Sequence, residues 1–265
     1  MTFDLILRGG VVDGTGADAF CADVGVVGDR IAAIGDLSDA EAKRVIDVSG
    51  RYVVPGFIDP HSHADLSVLF EPPMTNYLMQ GVTTVVVGNC GHSYAPVGDD
   101  LYRAAIIDSR VQFAANPSYF QMTQLLFPKE AGAKALREEY GVEMDWRSFA
   151  EYTDRCNAKP MDGNIAPLAG YSAIRGTVMG QDCLREATEA ELDVLERLTR
   201  ECMEQGAFAD IVVLDWAHLH SHDMDEDVLQ YPEGIDYVIV NGALTIDHKT
   251  HTGAAAGRML RRDER

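Results

Sequence analysis

The feature that most constrains the fold is a strand–helix–strand unit in the first third of the chain. The run Val53–Asp59 is mostly apolar, which predicts a strand buried on both faces, as in a parallel sheet. Residues 74–80 predict a short helix ending at Gly81, and Val82–Val87 predicts a second strand rich in β-branched residues. Two strands joined through a helix within this length form a βαβ unit, so the sequence predicts an α/β fold.

Further elements of the same kind follow in the middle of the chain. Residues 146–158 predict a helix, and Gly163–Ala169 predicts a third apolar strand. Thr188 and Glu191 have the spacing of a capping box, which predicts a helix from this point to about Gln205. The middle of the chain therefore offers three strands of the parallel-sheet type.

The two ends of the chain have a different character, with short strands and glycine-rich turns. Gly28-Asp29 and Asn241-Gly242 each separate two apolar runs, which predicts two β-hairpins. The predicted terminal strands are 3–8, 23–27, 30–34, 43–48, 209–215, 237–240 and 243–246. The tail 253–265 is predicted to be extended and exposed. Two β-rich ends thus flank a β/α middle.

Charge and composition exclude several classes of function. Lys and Arg number 22 against 42 Asp and Glu, a net charge of −20, which repels phosphate backbones and anionic lipid. No apolar run approaches the roughly 18 residues of a membrane span, and Asp4 and Arg8 interrupt the apolar stretch that a signal peptide needs. Five cysteines without a framework favour a reducing compartment. We predict a cytoplasmic protein without nucleic-acid or membrane partners.

The strongest chemical signal lies where the first two strands of the middle region end. His61 and His63 follow the first strand at a spacing that projects both imidazoles to one face, and Cys90 follows the second strand. The carboxyl ends of parallel strands meet at one edge of the sheet, so the three side chains can converge on one ion. Imidazole and thiolate groups are both zinc ligands. The alternatives are solvated loop histidines and an inert buried cysteine.

A second histidine cluster, formed by His218, His220 and His222, is followed by the acidic run 223–227. We interpret it as a solvated loop, because alternating polar residues beside an acidic run are typical of exposed surface. No phosphate-binding glycine loop and no Gly-x-Ser-x-Gly motif are present.

Several segments together resemble the N-acyl-D-amino-acid deacylase (D-aminoacylase) family of the metal-dependent amidohydrolase superfamily. They are DLILRGGVVDGTG, DVGVVGDRIAAIGDL, VIDVSGRYVVPGFIDPHSHAD, GVTTVVVGNCGHSYAPV, APLAGYSAIRGTVMG, ADIVVLD and QYPEGIDYVIVNGALTIDHKTHTGAAAGRMLRR. The matching segments cover both ends of the chain and part of its middle. Two positions depart from the pattern, with Tyr171 where relatives often carry histidine and His92 where an apolar residue is usual.

The resemblance implies a small β domain built from residues 1–54 and 209–265. A TIM-like (β/α) barrel segment, residues 55–208, is inserted between these two parts. It also implies that His61 and His63 are metal ligands, that Cys90 is the cysteine ligand, and that the metal is zinc. The implied reaction is hydrolysis of a small-molecule N-acyl-D-amino acid to a carboxylate and a free D-amino acid by metal-activated water.

One departure from the family is large. The family has two later histidine ligands and an aspartate general base, yet no histidine occurs between residues 93 and 217. Only about 150 residues lie between the β segments, against about 250 for a full barrel. We therefore predict an incomplete barrel in which the ancestral activity is absent or feeble, and we assign no catalytic residue. The uncovered edge of such a barrel is expected to favour a homo-oligomer. The alternatives are a non-catalytic remnant that binds metal or partners only, and a dihydropyrimidinase-like cyclic amide hydrolase.

Overall fold

The computed structural model describes residues 2–103, 126–207 and 237–260. Within these ranges it leaves out residues 15, 17, 66–68, 70–73, 92, 99–100, 129–132, 135–136, 139–140, 184, 249 and 259. In this described part of the chain, no helix is long and apolar enough to cross a membrane.

The N-terminal residues form a five-stranded sheet. Its strands are β1 (Phe3–Val12), β2 (Phe20–Val27), β3 (Arg30–Gly35), β4 (Ala42–Asp47) and β5 (Tyr52–Val53). The order is β3-β2-β1-β4, with β5 pairing the far end of β1. β2 and β3 are antiparallel, and Gly28 in the turn between them has a φ of 58°, a left-handed conformation that suits glycine. The predicted Gly-Asp hairpin is therefore confirmed.

A second, parallel sheet follows. It contains β6 (Phe57–Asp59), β7 (Val82–Val87) and β10 (Asn164–Pro167) in the order β10-β7-β6. The short helix α1 (Thr75–Leu78) lies between β6 and β7 in the chain, which confirms the predicted βαβ unit. Two three-residue strands, β8 (Leu101–Arg103) and β9 (Leu126–Pro128), pair with each other.

The prediction of one continuous buried strand over 53–59 is wrong. β5 ends at Val53 in the N-terminal sheet, and β6 begins at Phe57 in the parallel sheet, so the chain crosses between sheets at 54–56. Pro55 has no N–H to donate to a ladder, which favours a break here. Phe57 and Ile58 are 51% and 64% exposed, because β6 is an edge of the sheet formed by the described strands.

Three longer helices are described: α2 (Phe149–Asn157), α3 (Tyr171–Met179) and α4 (Glu189–Glu204). Ser148 caps α2 and Thr188 caps α4, each through a complete capping box, so the predicted start of α4 is confirmed. α3 was missed by the sequence analysis. Its N-cap is Gly170, which offers no side-chain hydrogen bond, and its first turn has no acidic residue, so the usual start signals are absent.

The C-terminal hairpin joins the two sheets. β11 (Tyr237–Val240) and β12 (Ala243–Asp247) flank the predicted Asn241-Gly242 turn, and β13 (Thr250–His251) extends the sheet. Alternate residues point to opposite faces of a strand. Accordingly Tyr237 and Ile239 pack on the N-terminal sheet, whereas Val238 and Val240 pack on Leu78 of α1.

The described residues of the two β-rich ends therefore pack against each other. An ion pair between Arg44 and Asp247, 2.7 Å long, also joins them. The domain boundaries at 54/55 and 208/209 stay a prediction, and the predicted strand 209–215 lies outside the described residues.

The tail after β13 is not fully exposed as predicted, because it lies along β10. Gly257 forms an antiparallel bridge with Met161, and the Ile165 N–H donates to the Arg258 carbonyl at 2.9 Å. The Asn241 side chain donates to the Ala256 carbonyl at 2.6 Å. The hydrogen bond from the Ile165 N–H satisfies part of the β10 edge that a further strand would otherwise pair.

Gly257→Ala is expected to lower the free energy of unfolding by about 1–3 kcal/mol, the usual cost of overpacking. A Cβ at this position would lie 2.0 Å from the Gly163 carbonyl oxygen, so the tail must move away from β10. Urea denaturation measures the change. Ala255→Val, at an exposed position of the same tail, is the control and should leave stability within about 0.5 kcal/mol. Equal stability of the two variants would contradict the observed tail contact.

Candidate metal centre

Two loops at the carboxyl ends of β6 and β7 carry the predicted ligands. β6 ends at Asp59, whose Oδ1 accepts a hydrogen bond from the His61 N–H at 3.0 Å and so turns the chain just beyond the strand. His61 is exposed and His63 is partly buried. Their ring centroids lie 5.7 Å apart, so the i, i+2 spacing brings both imidazoles to the same side, as expected.

Cys90 lies on a tight turn after β7. Gly88, Cys90 and Gly91 all have positive φ, at 84°, 57° and 75°. A left-handed conformation at a cysteine is uncommon and is maintained only where the surroundings require it. A Cβ at Gly88 would lie 2.4 Å from the Leu168 carbonyl oxygen, so only glycine fits between β7 and β10. This turn leaves the Cys90 thiol exposed beside the histidines.

The three predicted ligands come together at one point. His61 Nε2 lies 3.3 Å from Cys90 Sγ, and one ligand atom from each of His61, His63 and Cys90 lies within 4.8 Å of the others. Zinc bonds of about 2.0–2.1 Å to nitrogen and 2.3 Å to sulfur place tetrahedral ligands about 3.3–3.7 Å apart. The set therefore fits zinc after small side-chain adjustments, and its two imidazoles and one thiolate are donors that zinc accepts.

Burial affects the protonation of His63. Its pKa is lowered, first because burial disfavours the charged imidazolium and second because His61 lies nearby. At neutral pH a lowered pKa leaves the ring neutral, which is the form that binds a metal. This protonation state suits His63 as a metal ligand.

Asp65, two residues after His63, is a buried carboxyl group that was not predicted as a site residue. It is 1% exposed, and burial raises its pKa to about 7, while hydrogen bonds from its own N–H and that of Gly88 act in the opposite direction. Its Oδ2 has no hydrogen-bond partner among the described residues. The Tyr152 hydroxyl donates to its backbone carbonyl at 2.5 Å. In the sequence, the one sign that pointed to Asp65 was its position next to the two histidines in the HSHAD segment.

His92 lies outside the described residues. The histidine cluster of residues 218, 220 and 222 does too, so the prediction that this cluster is a solvated loop stays untested. A cavity of about 440 Å³ lies between the β layers, near Tyr52, Phe57 and Tyr237. None of the three ligands is among its described lining residues, and Arg51 is the one charged residue among them. This lining therefore lacks the groups that hydrolysis would need.

Thiol alkylation should separate the cysteines into two classes. Cys21 and Cys90 are exposed, whereas Cys156, Cys183 and Cys202 are buried. Burial raises the pKa of both Cys156 and Cys202 to about 12, which removes the reactive thiolate near neutral pH. We expect iodoacetamide to modify two thiols of the native protein rapidly, and zinc to protect Cys90 but not Cys21. Peptide mass spectrometry would identify them, and equal modification of all five would contradict the described burial.

Comparison with known proteins agrees with these observations. Residues 44–123, which include both histidines and Cys90, match the profile of an amidohydrolase family. Over 206 residues the chain is 42% identical to the D-aminoacylase of Alcaligenes xylosoxydans xylosoxydans, covering 77% of this chain and 36% of that protein. The N-acyl-D-glutamate deacylase of the same organism is 36% identical, covering 77% of this chain and 36% of that protein.

Solved structures show the same relationship. A D-aminoacylase crystal structure matches with a TM-score of 0.58 and 41% identity, covering 77% of this chain and 37% of that one. N-acyl-D-glutamate deacylase from Bordetella bronchiseptica was solved with zinc and a phosphonate inhibitor. It matches with a TM-score of 0.60 and 33% identity, and the match covers 79% of this chain and 38% of that one. The chain thus spans less than two fifths of the relatives that it matches. Over the span that it shares with them, the chain is similar to the D-aminoacylases and N-acyl-D-glutamate deacylases of the amidohydrolase superfamily.

Proposed function

We propose that the chain binds zinc through His61, His63 and Cys90 and uses it to hydrolyse the amide bond of N-acyl-D-amino acids. The observation that carries this proposal is the convergence of two imidazoles and one thiol from the ends of two adjacent parallel strands, within 4.8 Å. Parallel strand ends are where α/β enzymes place their catalytic groups. The relatives named D-aminoacylase and N-acyl-D-glutamate deacylase support the choice of substrate.

The residues of the chain supply the setting for this chemistry. A bound zinc ion would polarise an amide carbonyl and lower the pKa of water, which are the two requirements for hydrolysis at neutral pH. His61 and Cys90 are exposed, so a small substrate can reach the site from solvent. His63 provides a neutral nitrogen because its pKa is lowered.

A second candidate function is metal binding without turnover. It is favoured by the absence of histidine between residues 93 and 217 and by the short span of the match to the relatives. We assign no general base to the three-ligand cluster among the described residues, and a positioned base typically contributes 10²–10⁴-fold to the rate. We therefore expect any turnover to be slow.

The decisive experiment is release of methionine from N-acetyl-D-methionine by the purified chain with added zinc. The proposed activity predicts turnover that is lost on chelation and falls at least about 100-fold in His63→Ala. N-acetyl-L-methionine tests the stereochemical preference, and dihydrouracil tests the cyclic amide alternative. Zinc binding without turnover above the His63→Ala background would reject the hydrolase and favour the second candidate.

A further inference from the structure

The two ligand-bearing loops are joined by one buried side chain, Asn89. Asn89 precedes Cys90 directly and is 6% exposed. Its Nδ2 donates to the Ser62 carbonyl at 3.2 Å and to the Val86 carbonyl at 2.8 Å. Ser62 lies between His61 and His63, so a single amide group contacts the histidine loop, the end of β7 and the cysteine turn.

The neighbouring hydrogen bonds show why this contact sets the spacing of the ligands. The Ser62 N–H donates to the Val86 carbonyl at 2.9 Å, which fixes the start of the histidine loop against β7. The Ser62 hydroxyl is engaged with the Tyr77 hydroxyl at 2.8 Å and with the Ala64 N–H at 3.1 Å. The Asn89 amide adds the link from the Ser62 carbonyl to the turn that carries Cys90.

The chemistry of asparagine suits this position. Both partners of the side chain are carbonyl oxygens, so the atom facing them must be the amide nitrogen, which has two hydrogens to donate. A carboxylate of the same shape has none. Loss of the amide would also leave the buried Ser62 carbonyl without this donor, which is costly in a protein interior.

We propose that Asn89 is a positioning residue that keeps the His61–Ser62–His63 segment and Cys90 at metal-binding separation. This inference rests on the proposed zinc site, of which Asn89 is not a proposed ligand. Residues that orient metal ligands typically contribute a factor of roughly 10–100 to metal affinity. Removing Asn89 should therefore weaken the site by about that factor without removing a ligand.

Asn164 provides a matched control. It is also a buried asparagine, 9% exposed, and its side chain joins β10 to the C-terminal hairpin through Asn241 at 2.7 Å. Asn164→Ala thus removes a comparable buried amide link that does not involve the ligand loops. A general loss of stability would affect both variants, whereas a loss of ligand positioning would affect only Asn89→Ala.

The test is a titration with Co²⁺, followed by the thiolate-to-cobalt charge-transfer absorption. We expect the unmodified chain to show this band. The Asn89→Ala variant should bind cobalt roughly 10–100-fold more weakly, whereas the cobalt affinity of Asn164→Ala should stay within about twofold of the unmodified chain. Should Asn89→Ala fail to fold by circular dichroism, Asn89→Leu fills a similar volume without a donor and should show the same loss.

Two results would overturn the proposal in distinguishable ways. Equal cobalt affinity of the unmodified chain and the Asn89 variant, or equal weakening in both asparagine variants, would reject the role of Asn89 and leave the metal site standing. Absence of the charge-transfer band in the unmodified chain would reject the metal site, and the role of Asn89 with it.

Discussion

Cys90→Ala is expected to weaken zinc binding by at least about 100-fold, or about 3 kcal/mol. The substitution removes the only sulfur among the three clustered donors, and the thiolate is the one donor that carries a negative charge when it binds. His61 Nε2, 3.3 Å from the sulfur, would lose its nearest partner in the site. Competition with a chelating dye measures the affinity.

Cys21→Ala is the control for this experiment. Cys21 is also an exposed free cysteine, but it lies on β2 of the N-terminal sheet, away from the described metal cluster. Its replacement should leave zinc affinity within about twofold. Similar affinity losses for the two cysteine variants would mean that zinc binds thiols nonspecifically and would contradict the site.

Trp146→Ala is expected to cost about 3–5 kcal/mol of stability, the range for aromatic residues removed from a core. Trp146 is 1% exposed, packs in the main core with Val85 and Val87 of the central strand β7, and has its ring 5.6 Å from that of Tyr152. Its Nε1 donates to the Tyr94 carbonyl at 2.7 Å, so the substitution also leaves a buried carbonyl without its donor.

Urea denaturation would measure the loss, with Tyr52→Ala as the control. Tyr52 is 68% exposed, so its removal should change the free energy of unfolding by less than about 1 kcal/mol. Trp146→Phe should give an intermediate loss, because it retains an aromatic ring but not the donor. A Trp146→Ala variant as stable as the control would contradict the described core.

The parts of the fold that could be predicted are those with local causes. The Asn241-Gly242 turn was predictable because both residues tolerate the positive φ that they adopt, 46° and 83°. The start of α4 was predictable because Thr188 and Glu191 form both halves of a capping box. The two histidines and Cys90 were predictable as a group because parallel strand ends share one edge.

The features that were missed depend on contacts between distant residues. The exposure of Ile58 follows from the position of β6 at an edge of the sheet that the described strands form, and no local pattern specifies this position. The pairing of Gly257 with Met161 joins positions almost one hundred residues apart, and its requirement for glycine is visible only once Gly163 is placed beside it. Asn89 and Asp65 are polar residues whose burial is a tertiary effect.

Zinc K-edge X-ray absorption fine structure of the zinc-loaded chain tests the proposed metal site most directly. We expect one sulfur neighbour at about 2.3 Å and nitrogen or oxygen neighbours at about 2.0–2.1 Å. The sulfur contribution should disappear in Cys90→Ala and persist in Cys21→Ala. A zinc environment of nitrogen and oxygen alone in the unmodified chain would contradict the assignment of His61, His63 and Cys90 as a shared metal site.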